Sequence, residues 1–546
     1  MKKILLVISM GCALALSACT DMTEKVYSDL TSISYHYSSD DVRRVLGACY
    51  LPMKSYIGQE QLWALDQVTA DEITMPPNST GWDNGGVFRT LQYHSWNSEH
   101  KFLNSVWNVT WNGIGLCNNV IEQLQKNELN LDEKTNASTL AEVRALRAFY
   151  YSIIVDFWGD APLVPELTQD LPTVTPRSEI YNFVVNELKE AIPNLSEVQG
   201  GERYGLFNKW AATTLLAKMY LNAEVYIGKA NWQGALDACN SVINSGKFAL
   251  SENYKDNFRD DDAFLMANKE IIYTIPFDSG NGGYSMYYFS WGSPLKDKFK
   301  TGGTPWGSGC AMGVPQFIDT YDEDDIRLDD TWLHGVQCVY GTDTPIKCIF
   351  DAIDGVFPDL NYVNDIQSGN FTKEWEGYRM NKFEVPVGCN SMGADYPIFR
   401  YSEVLLMKAE CLLRLGQPGA GEIVTQVRQR AFKNNPDKAK VTDEQLKGNS
   451  AYEYYYYAGD YAFSHPENRK YGPHDKDNVQ FGRLYDEYGW ELAWELGART
   501  RAIRFGTFKR SWLSHDADAS DITTVFPIPQ AAITANPNLT QNPNYK

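Results

Sequence analysis

The stretch that decides the fold is LAEVRALRAFYYSIIVDFW, residues 140–158. At helical spacing it presents two apolar stripes, one of large side chains and one of small ones. A helix that is apolar on two sides is covered on two sides, as in stacked helical hairpins. Charged residues between the stripes predict a narrow edge facing water. The large stripe is Val143, Leu146, Tyr150, Ile153 and Phe157, the small one is Ala141, Ala145, Ala148 and Ser152, and the charges are Glu142, Arg144, Arg147 and Asp156.

Other segments with helical periodicity predict a mainly α scaffold of tetratricopeptide-like repeats. Residues 40–57, 101–126 and 176–192 each read as a helix, and the last opens with Thr175-Pro176. Residues 208–226 with 231–245 form the clearest hairpin, and residues 401–416 with 419–431 form a similar one. This gives three to four hairpins, enough for a stack that buries its own faces.

The predicted scaffold is interrupted by a segment of different composition. Residues 276–400 are rich in Gly and aromatic residues and poor in helical periodicity. Because this segment is too long for a connector, we predict a folded, loop-rich insertion with short strands near 337–350. The predicted organisation is a signal peptide at 1–18, a tether at 19–40, helical-repeat parts at 41–275 and 401–546, and the insertion at 276–400.

The N-terminus predicts export and lipid attachment. Lys2 and Lys3 precede a short apolar run, which is followed by Leu16-Ser17-Ala18-Cys19. Small residues before a Cys are typical of a bacterial lipoprotein signal, in which the Cys is acylated and becomes the new N-terminus. We therefore expect a protein anchored to a membrane by lipid on Cys19.

Charge and spacing argue against several classes of partner. The chain has 49 Lys and Arg against 69 Asp and Glu, a formal net charge of -20. This balance repels phosphate backbones, so we expect no nucleic-acid partner. The His and Cys residues have no metal-ligand spacing, so we expect no metal and no cofactor. Cys338 and Cys348 flank a turn and are candidates for a cross-strand disulfide.

The acidic run YDEDDIRLDD, residues 321–330, is open to three interpretations. A calcium site would place oxygen ligands around a Gly turn, which this run lacks. A pair of catalytic carboxylates would need a groove that sequence does not reveal. We favour a solvated helix start in which Asp325 pairs with Arg327.

Several motifs together resemble the SusD/RagB family of outer-membrane glycan-binding lipoproteins. They occur in family order over nearly the whole chain after Cys19. A departure lies at Glu495-Leu496-Gly497-Ala498-Arg499, where the family commonly has Glu-Gly-x-Arg; we expect it to affect a helix terminus. The matching pieces are Cys19, Asp71-Glu72, GWDNGG with His94 and Trp96, RALRAFYYSIIVDFWGDAPLV, the hairpins at 208–245 and 401–431, WELAWELGARTRAIRFGTF and FPIPQAAITANPNLTQNPNY.

The resemblance implies a surface receptor without enzymatic activity. Such proteins capture oligosaccharides or polysaccharides at the outer membrane and deliver them to a SusC-like TonB-dependent β-barrel. The repeat face packs against the barrel, and the loops and insertion bind the ligand. Two alternatives stay open: a RagB-like lid that captures peptides, and a surface glycoside hydrolase.

Sugar recognition requires flat aromatic platforms flanked by groups that hydrogen-bond hydroxyls. The candidates are aromatic residues in Gly-rich loops, for which loop packing is the alternative role. Asp83, Asn84 and Arg89 are candidate hydroxyl partners. The predicted platforms are Trp82, Tyr284, Tyr287, Trp291, Trp306 and Trp332.

Overall fold

The computed structural model describes residues 39–280, 283–284, 286–301, 309–367, 371–457 and 466–545. Helices dominate these residues, and the mainly α, tetratricopeptide-like fold predicted from the sequence is confirmed. Before the insertion the helices are α1 Ser39–Lys54, α2 Leu62–Gln67, α3 Val87–Gln92, α4 Lys101–Gln125, α5 Glu133–Phe157, α6 Arg177–Ala191, α7 Lys209–Leu221, α8 Ala223–Ile227, α9 Trp232–Asn244 and α10 Asp262–Ala267. From the insertion onward they are α11 Met286–Ser290, α12 Lys296–Phe299, α13 Pro315–Ile318, α14 Arg327–Thr331, α15 Tyr401–Arg414, α16 Ala420–Arg428, α17 Asp443–Leu446, α18 Gly482–Leu492, α19 Ala498–Phe505 and α20 Gln530–Ala535.

The long helices form one continuous stack. Helix α1 packs on α4, α4 on α5, α5 on α6, α6 on α7, α7 on α9, α9 on α15 and α15 on α16. Each helix thus contacts a neighbour on either side, which is how repeat hairpins bury faces that a single hairpin would expose. The stack runs across the insertion, because α15 follows it in sequence and packs on α9.

Helix α5 is the centre of this stack. It begins seven residues before the predicted start, because Asp132 caps it by accepting hydrogen bonds from the backbone N–H groups of Lys134 and Thr135, each at 3.1 Å. Both predicted apolar stripes face the interior, with Ser152 partly exposed. Tyr150 donates a hydrogen bond to the Cys49 carbonyl at 2.7 Å and packs its ring against Gly113 of α4. This aromatic side chain therefore joins three helices.

The predicted wet edge of α5 is wrong, because three of its four charges are buried. Glu142 accepts hydrogen bonds from Tyr50 and Arg203, and Arg147 forms an ion pair with Glu187 at 2.6 Å. Asp156 is also buried. The sequence could not show this, because each partner lies on another element, and buried charges occur where such partners satisfy them.

The insertion leaves and re-enters the helical part through adjacent strands. Strand β4 pairs antiparallel with β10, and all five residues of each strand are buried. The other strand pairs have two residues per strand. The strands of the described residues are β1 Ile73–Thr74, β2 Ala161–Pro162, β3 Val174–Thr175, β4 Ile271–Ile275, β5 Met312–Gly313, β6 Trp332–Leu333, β7 Gly335–Val336, β8 Asn361–Tyr362, β9 Arg379–Met380 and β10 Tyr396–Arg400.

The proposed disulfide between Cys338 and Cys348 does not form, and both thiols are free. Cys338 lies opposite Pro345 in an isolated antiparallel bridge, whereas the Cys348 N–H bonds to the Pro358 carbonyl at 2.9 Å. The two residues therefore pair with different segments, and the turn between them does not bring them face to face.

A buried ion-pair network joins the insertion to the C-terminal helices. The Arg400 guanidinium is fully buried and contacts the carboxylates of Glu270 at 2.6 Å and Glu495 at 2.7 Å. Burying a charge in this way stabilises the fold only when partners satisfy it. The network links five basic side chains, Arg327, Lys382, Arg400, Arg428 and Arg430, to five carboxylates, Glu270, Asp325, Glu487, Glu491 and Glu495. Their formal charges therefore cancel.

The acidic run of residues 321–330 supplies two members of this network. The predicted pair between Asp325 and Arg327 is confirmed, with a separation of 2.7 Å. The predicted solvation is wrong, because both side chains are fully buried and Arg327 also contacts Glu487 at 2.7 Å. Asp325 forms an ion pair with the Arg327 guanidinium, so its role is structural.

Candidate functional site

A cavity of about 360 Å³ opens between the loop that follows β1 and helix α11. Its walls combine aromatic rings, amides, hydroxyls and a thiol. None of the lining residues carries a formal charge near neutral pH, and burial raises the pKa of the Cys310 thiol to about 12. The lining residues are Gln59, Asn78, Thr80, Trp82, Tyr288, Phe289 and Cys310.

Trp82 is the predicted platform residue that the structure places at this cavity. Its indole is half-buried, and its centroid lies 5.7 Å from that of the Phe88 ring, which supports it from the protein side. The Trp82 carbonyl accepts a hydrogen bond from the Asn78 N–H at 3.1 Å. Gly81 adopts a φ of +84°, the left-handed turn conformation that Gly permits at low cost. The backbone thus fixes the ring at the cavity wall.

Asn78 holds the wall in place through its side chain. The amide Nδ2 donates to the Gly309 carbonyl at 3.3 Å, which ties this loop to the opposite wall. The amide oxygen accepts from the Thr80 hydroxyl at 2.6 Å. Gln59 makes no hydrogen bond within the described residues, so its amide is free to bind a ligand.

Asp83, Asn84 and Arg89 do not line this cavity. Arg89 and Asp83 form a two-point ion pair, with Nε donating to Oδ1 at 2.9 Å. Asn84 donates to the Glu60 carboxylate at 2.7 Å and accepts a hydrogen bond from Lys101. Their polar groups stabilise the loop that carries Trp82, so the structure favours a positioning role over direct contact with hydroxyls.

Three of the predicted platforms face the interior, and the expectation that their rings are accessible is wrong. Tyr284 packs on Phe277, with 4.5 Å between ring centroids. Trp291 stacks on Phe299 at 3.9 Å, and its indole N–H donates to the Met380 carbonyl. Trp332 is 1% exposed. Each side chain also contacts a residue far along the chain, namely Phe383, Met380 or Trp494 respectively, and local Gly content does not reveal such contacts.

The other predicted residues lie outside the described part of the chain. These are Trp306, the lipidation residue Cys19 and the side chain of Tyr287. The backbone of Tyr287 belongs to α11, where the next residue, Tyr288, lines the cavity. Sequence reasoning missed Tyr288 by one position in the run SMYYFSW. It also missed Asn78, although an Asn after two prolines is a signal for a fixed turn.

The family motif Asp71-Glu72 has a structural role beside this cavity. Asp71 accepts hydrogen bonds from the hydroxyls of Tyr454 at 2.8 Å and Tyr485 at 2.9 Å. Glu72 pairs with Arg501 at 2.9 Å. Burial raises the pKa of Glu72 to about 7, and the nearby Arg501 opposes this shift. Both acids fix the start of the Trp82 loop to the C-terminal helices.

A repeat scaffold whose loops hold an uncharged, aromatic-walled cavity defines a binding protein of the helical-repeat class. The family follows from the sequence comparison: the chain belongs to the SusD family, whose model, described as "SusD family", matches residues 269–545. A second model, described as "Starch-binding associating with outer membrane", matches residues 29–221. No helix within the described ranges is both long and apolar enough to span a bilayer.

Two relatives extend over most of the chain. The starch-binding protein SusD of Bacteroides thetaiotaomicron is 28% identical over 76% of this chain and 74% of its own length. The SusD-like protein P25 of Formosa agariphila is 26% identical over 87% of this chain and 84% of its own length.

Solved structures share the fold at lower identity. The surface glycan-binding protein A of Bacteroides thetaiotaomicron, solved with laminarihexaose, has a TM-score of 0.66 at 17% identity, covering 93% of this chain and 100% of that one. NanU of B. fragilis has a TM-score of 0.69 at 18% identity, covering 93% and 97%. At these identities the similarity concerns the fold.

Proposed function

We propose that this protein captures a neutral oligosaccharide or polysaccharide in the Trp82 cavity and passes it to a SusC-like TonB-dependent β-barrel, without catalysis. The observation that carries the proposal is the uncharged lining of the cavity, in which the rings of Trp82 and Tyr288 accompany the amide of Gln59. Aromatic faces bind the C–H faces of sugars, and amides exchange hydrogen bonds with hydroxyls. Neutral sugars need no counter-charge.

The relatives support the same ligand class and a location at the cell surface. The SusD of Bacteroides thetaiotaomicron is named for starch binding, and a protein of the same fold was solved with laminarihexaose. We extend glycan binding to this chain, together with lipid anchoring through Cys19 and an outer-membrane location. Within this proposal, the helical stack docks on the barrel and the loops face the ligand, because rigid repeats suit docking and loops suit recognition.

The binding test is calorimetric titration of the purified protein with a panel of neutral glycans. Replacing Trp82 with Ala is expected to weaken binding at least about tenfold, because loss of a buried ring face costs about 1.5–3 kcal/mol. Phe264→Ala is the matched control, since Phe264 is a 36% exposed aromatic residue on α10 that does not line the cavity. Equal glycan affinity for Trp82→Ala and wild type would refute this cavity.

The same preparation separates the competing functions. A peptide pool in the titration tests the RagB-like alternative, and release of reducing sugar from bound glycan tests the hydrolase. Peptide binding in place of glycan binding, or any turnover, would contradict the proposal.

Isolation of the native lipoprotein from outer membranes in mild detergent tests the barrel partner, which is expected to co-purify. If no barrel co-purifies, the proposed delivery to a barrel is refuted, and glycan binding remains a separate proposal.

A further inference from the structure

His94 meets two side chains of the C-terminal segment, His515 and Asp518, in a largely buried cluster. One ligand atom from each of His94, His515 and Asp518 lies within 4.8 Å of the others. His94 is 424 residues from Asp518, so no local spacing could reveal the group. Both imidazoles are buried, and their ring centroids are 4.2 Å apart. Two imidazoles and a carboxylate form a donor set that zinc uses in proteins.

Each imidazole already has the outer hydrogen bond that is typical of a metal ligand. His94 donates from Nε2 to the Thr69 carbonyl at 2.8 Å, and His515 donates from Nδ1 to the Gln92 carbonyl at 2.8 Å. A backbone carbonyl accepts only, so these contacts fix the N–H of each ring. The lone pairs are therefore on Nδ1 of His94 and Nε2 of His515, and fixing of the tautomer by an outer partner is common in metal sites.

These two lone pairs are poorly satisfied by the protein alone. His94 Nδ1 faces the Asp518 carboxylate at 2.6 Å, an arrangement that requires a proton or a cation between two acceptors. His515 Nε2 is buried and, among the residues that the structure describes, has no hydrogen-bond partner. An unsatisfied buried acceptor costs about 1–3 kcal/mol.

The surroundings hold the three groups in position. His515 stacks on Trp512 with a centroid distance of 3.9 Å, and His94 stacks on Phe508 at 4.3 Å. Asp518 also accepts a hydrogen bond from the Thr523 hydroxyl at 2.6 Å. His94 has a φ of +48°, a left-handed conformation that non-Gly residues adopt rarely. Packed rings and a second hydrogen bond are the support that a ligand set needs to keep its geometry.

We propose that His94, His515 and Asp518 bind one Zn²⁺ ion. The ion replaces the proton between His94 and Asp518 and satisfies the unpartnered nitrogen of His515. Imidazole nitrogens favour Zn²⁺ over Mg²⁺ or Ca²⁺, which prefer oxygen ligands. At zinc bond lengths of about 2.0–2.1 Å, tetrahedral ligand atoms lie about 3.3 Å apart, so shifts of about 1 Å assemble the site. Bound zinc would fasten the end of α3 to the C-terminal segment.

The test uses the full-length lipoprotein in detergent, stripped with chelator and titrated with ZnCl₂ against a chromophoric chelator. One tightly bound equivalent and a rise in the melting temperature are expected. Asp518→Asn and His515→Gln keep the approximate shape, and each is expected to lower zinc affinity by more than the 10- to 100-fold typical of losing an outer partner. Failure of wild type to bind one equivalent, or unchanged affinity in both variants, would overturn the site.

A surface pair supplies the matched control. His334 Nε2 lies 2.6 Å from Asp329, as close as the buried pair, but the side chains are 35% and 76% exposed. The double variant Asp329→Asn/His334→Gln is expected to bind zinc as wild type does. If the buried variants do not fold, the visible absorption spectrum of Co²⁺ added to the wild-type protein tests the site. A strong band, typical of a four-coordinate ion, supports the site. A weak band like that of aqueous Co²⁺ contradicts it.

Discussion

The buried network around Arg400 consists of charged side chains, whereas the cavity at Trp82 is lined by uncharged ones. The network links five cations and five carboxylates inside the helical body, whereas the cavity is lined by residues without formal charge. Charges that are paired and buried specify where segments of the chain meet, but they offer nothing to a ligand. Uncharged aromatic and amide groups can remain partly open, because water and sugar hydroxyls satisfy them similarly. Paired charges therefore lie in the interior of this protein, and uncharged groups line the cavity at which we propose recognition.

The largest expected effect comes from breaking the network. Replacing Arg400 with Ala removes a cation that Glu270, Glu491 and Glu495 share, and we expect a loss of about 3–5 kcal/mol in the free energy of unfolding. Denaturant unfolding measures it. Arg44→Ala is the control, because the Arg44 side chain is 80% exposed and pairs with Asp41 at the surface. Comparable stability of the two variants would refute the structural role of the network.

The next prediction concerns Glu72, a buried acid for which the ion pair with Arg501 only partly offsets the cost of burial. The pKa of Glu72 is raised from 4.5 to about 7, so the folded state favours the protonated form. The contribution of Glu72 to the free energy of unfolding is fully present below pH 4.5. It is lost as the pH rises through about 7, a change of about 3 kcal/mol. Glu72→Gln is expected to flatten that part of the stability profile between pH 5 and pH 8. The same slope in Glu72→Gln and wild type would contradict the burial argument, and exposed Glu202→Gln serves as control.

A smaller effect tests packing at the centre of the stack. A Cβ at Gly113 would lie 2.3 Å from the Tyr150 ring, so Gly113→Ala is expected to cost about 1–3 kcal/mol. Gly115 lies in the same helix with nothing within 4 Å of its Cβ position. Gly115→Ala should therefore stabilise α4 by up to about 1 kcal/mol. Thermal unfolding compares the two variants. If both stabilise the protein, the close approach of Tyr150 to Gly113 is absent.

The smallest effect concerns the cavity itself. Gln59 faces the cavity with an amide that has no hydrogen bond within the described residues, so Gln59→Ala is expected to weaken glycan binding about fivefold, close to 1 kcal/mol. Its melting temperature should match that of wild type, because no hydrogen bond within the described residues is lost. Gln233→Ala on α9 is the control. A drop in stability without a change in affinity would place Gln59 with the structural residues.

The sequence predicted what depends on near neighbours and failed where distant segments meet. Helix α5 and its two apolar stripes follow from periodicity, and the pair of Asp325 with Arg327 follows from a separation of two residues. The burial of that pair depends on Glu487, 160 residues away from Arg327. Trp82 and Trp332 look alike in their Gly-containing surroundings, yet Trp332 is covered by residues such as Trp494, with 5.6 Å between ring centroids. The same limit explains why His94 and His515 gave no metal signal.

The composition of the Arg400 network also constrains the order of folding. Its carboxylates come from positions as far apart as Glu270 and Glu495, and Arg400 contacts both. A chain synthesised from its N-terminus therefore presents Glu270 and Arg400 well before Glu491 and Glu495 exist. Closing the interior at that stage would trap a guanidinium with too few carboxylates, which is strongly unfavourable. The helical body is thus expected to close late and cooperatively, after synthesis has passed Glu495.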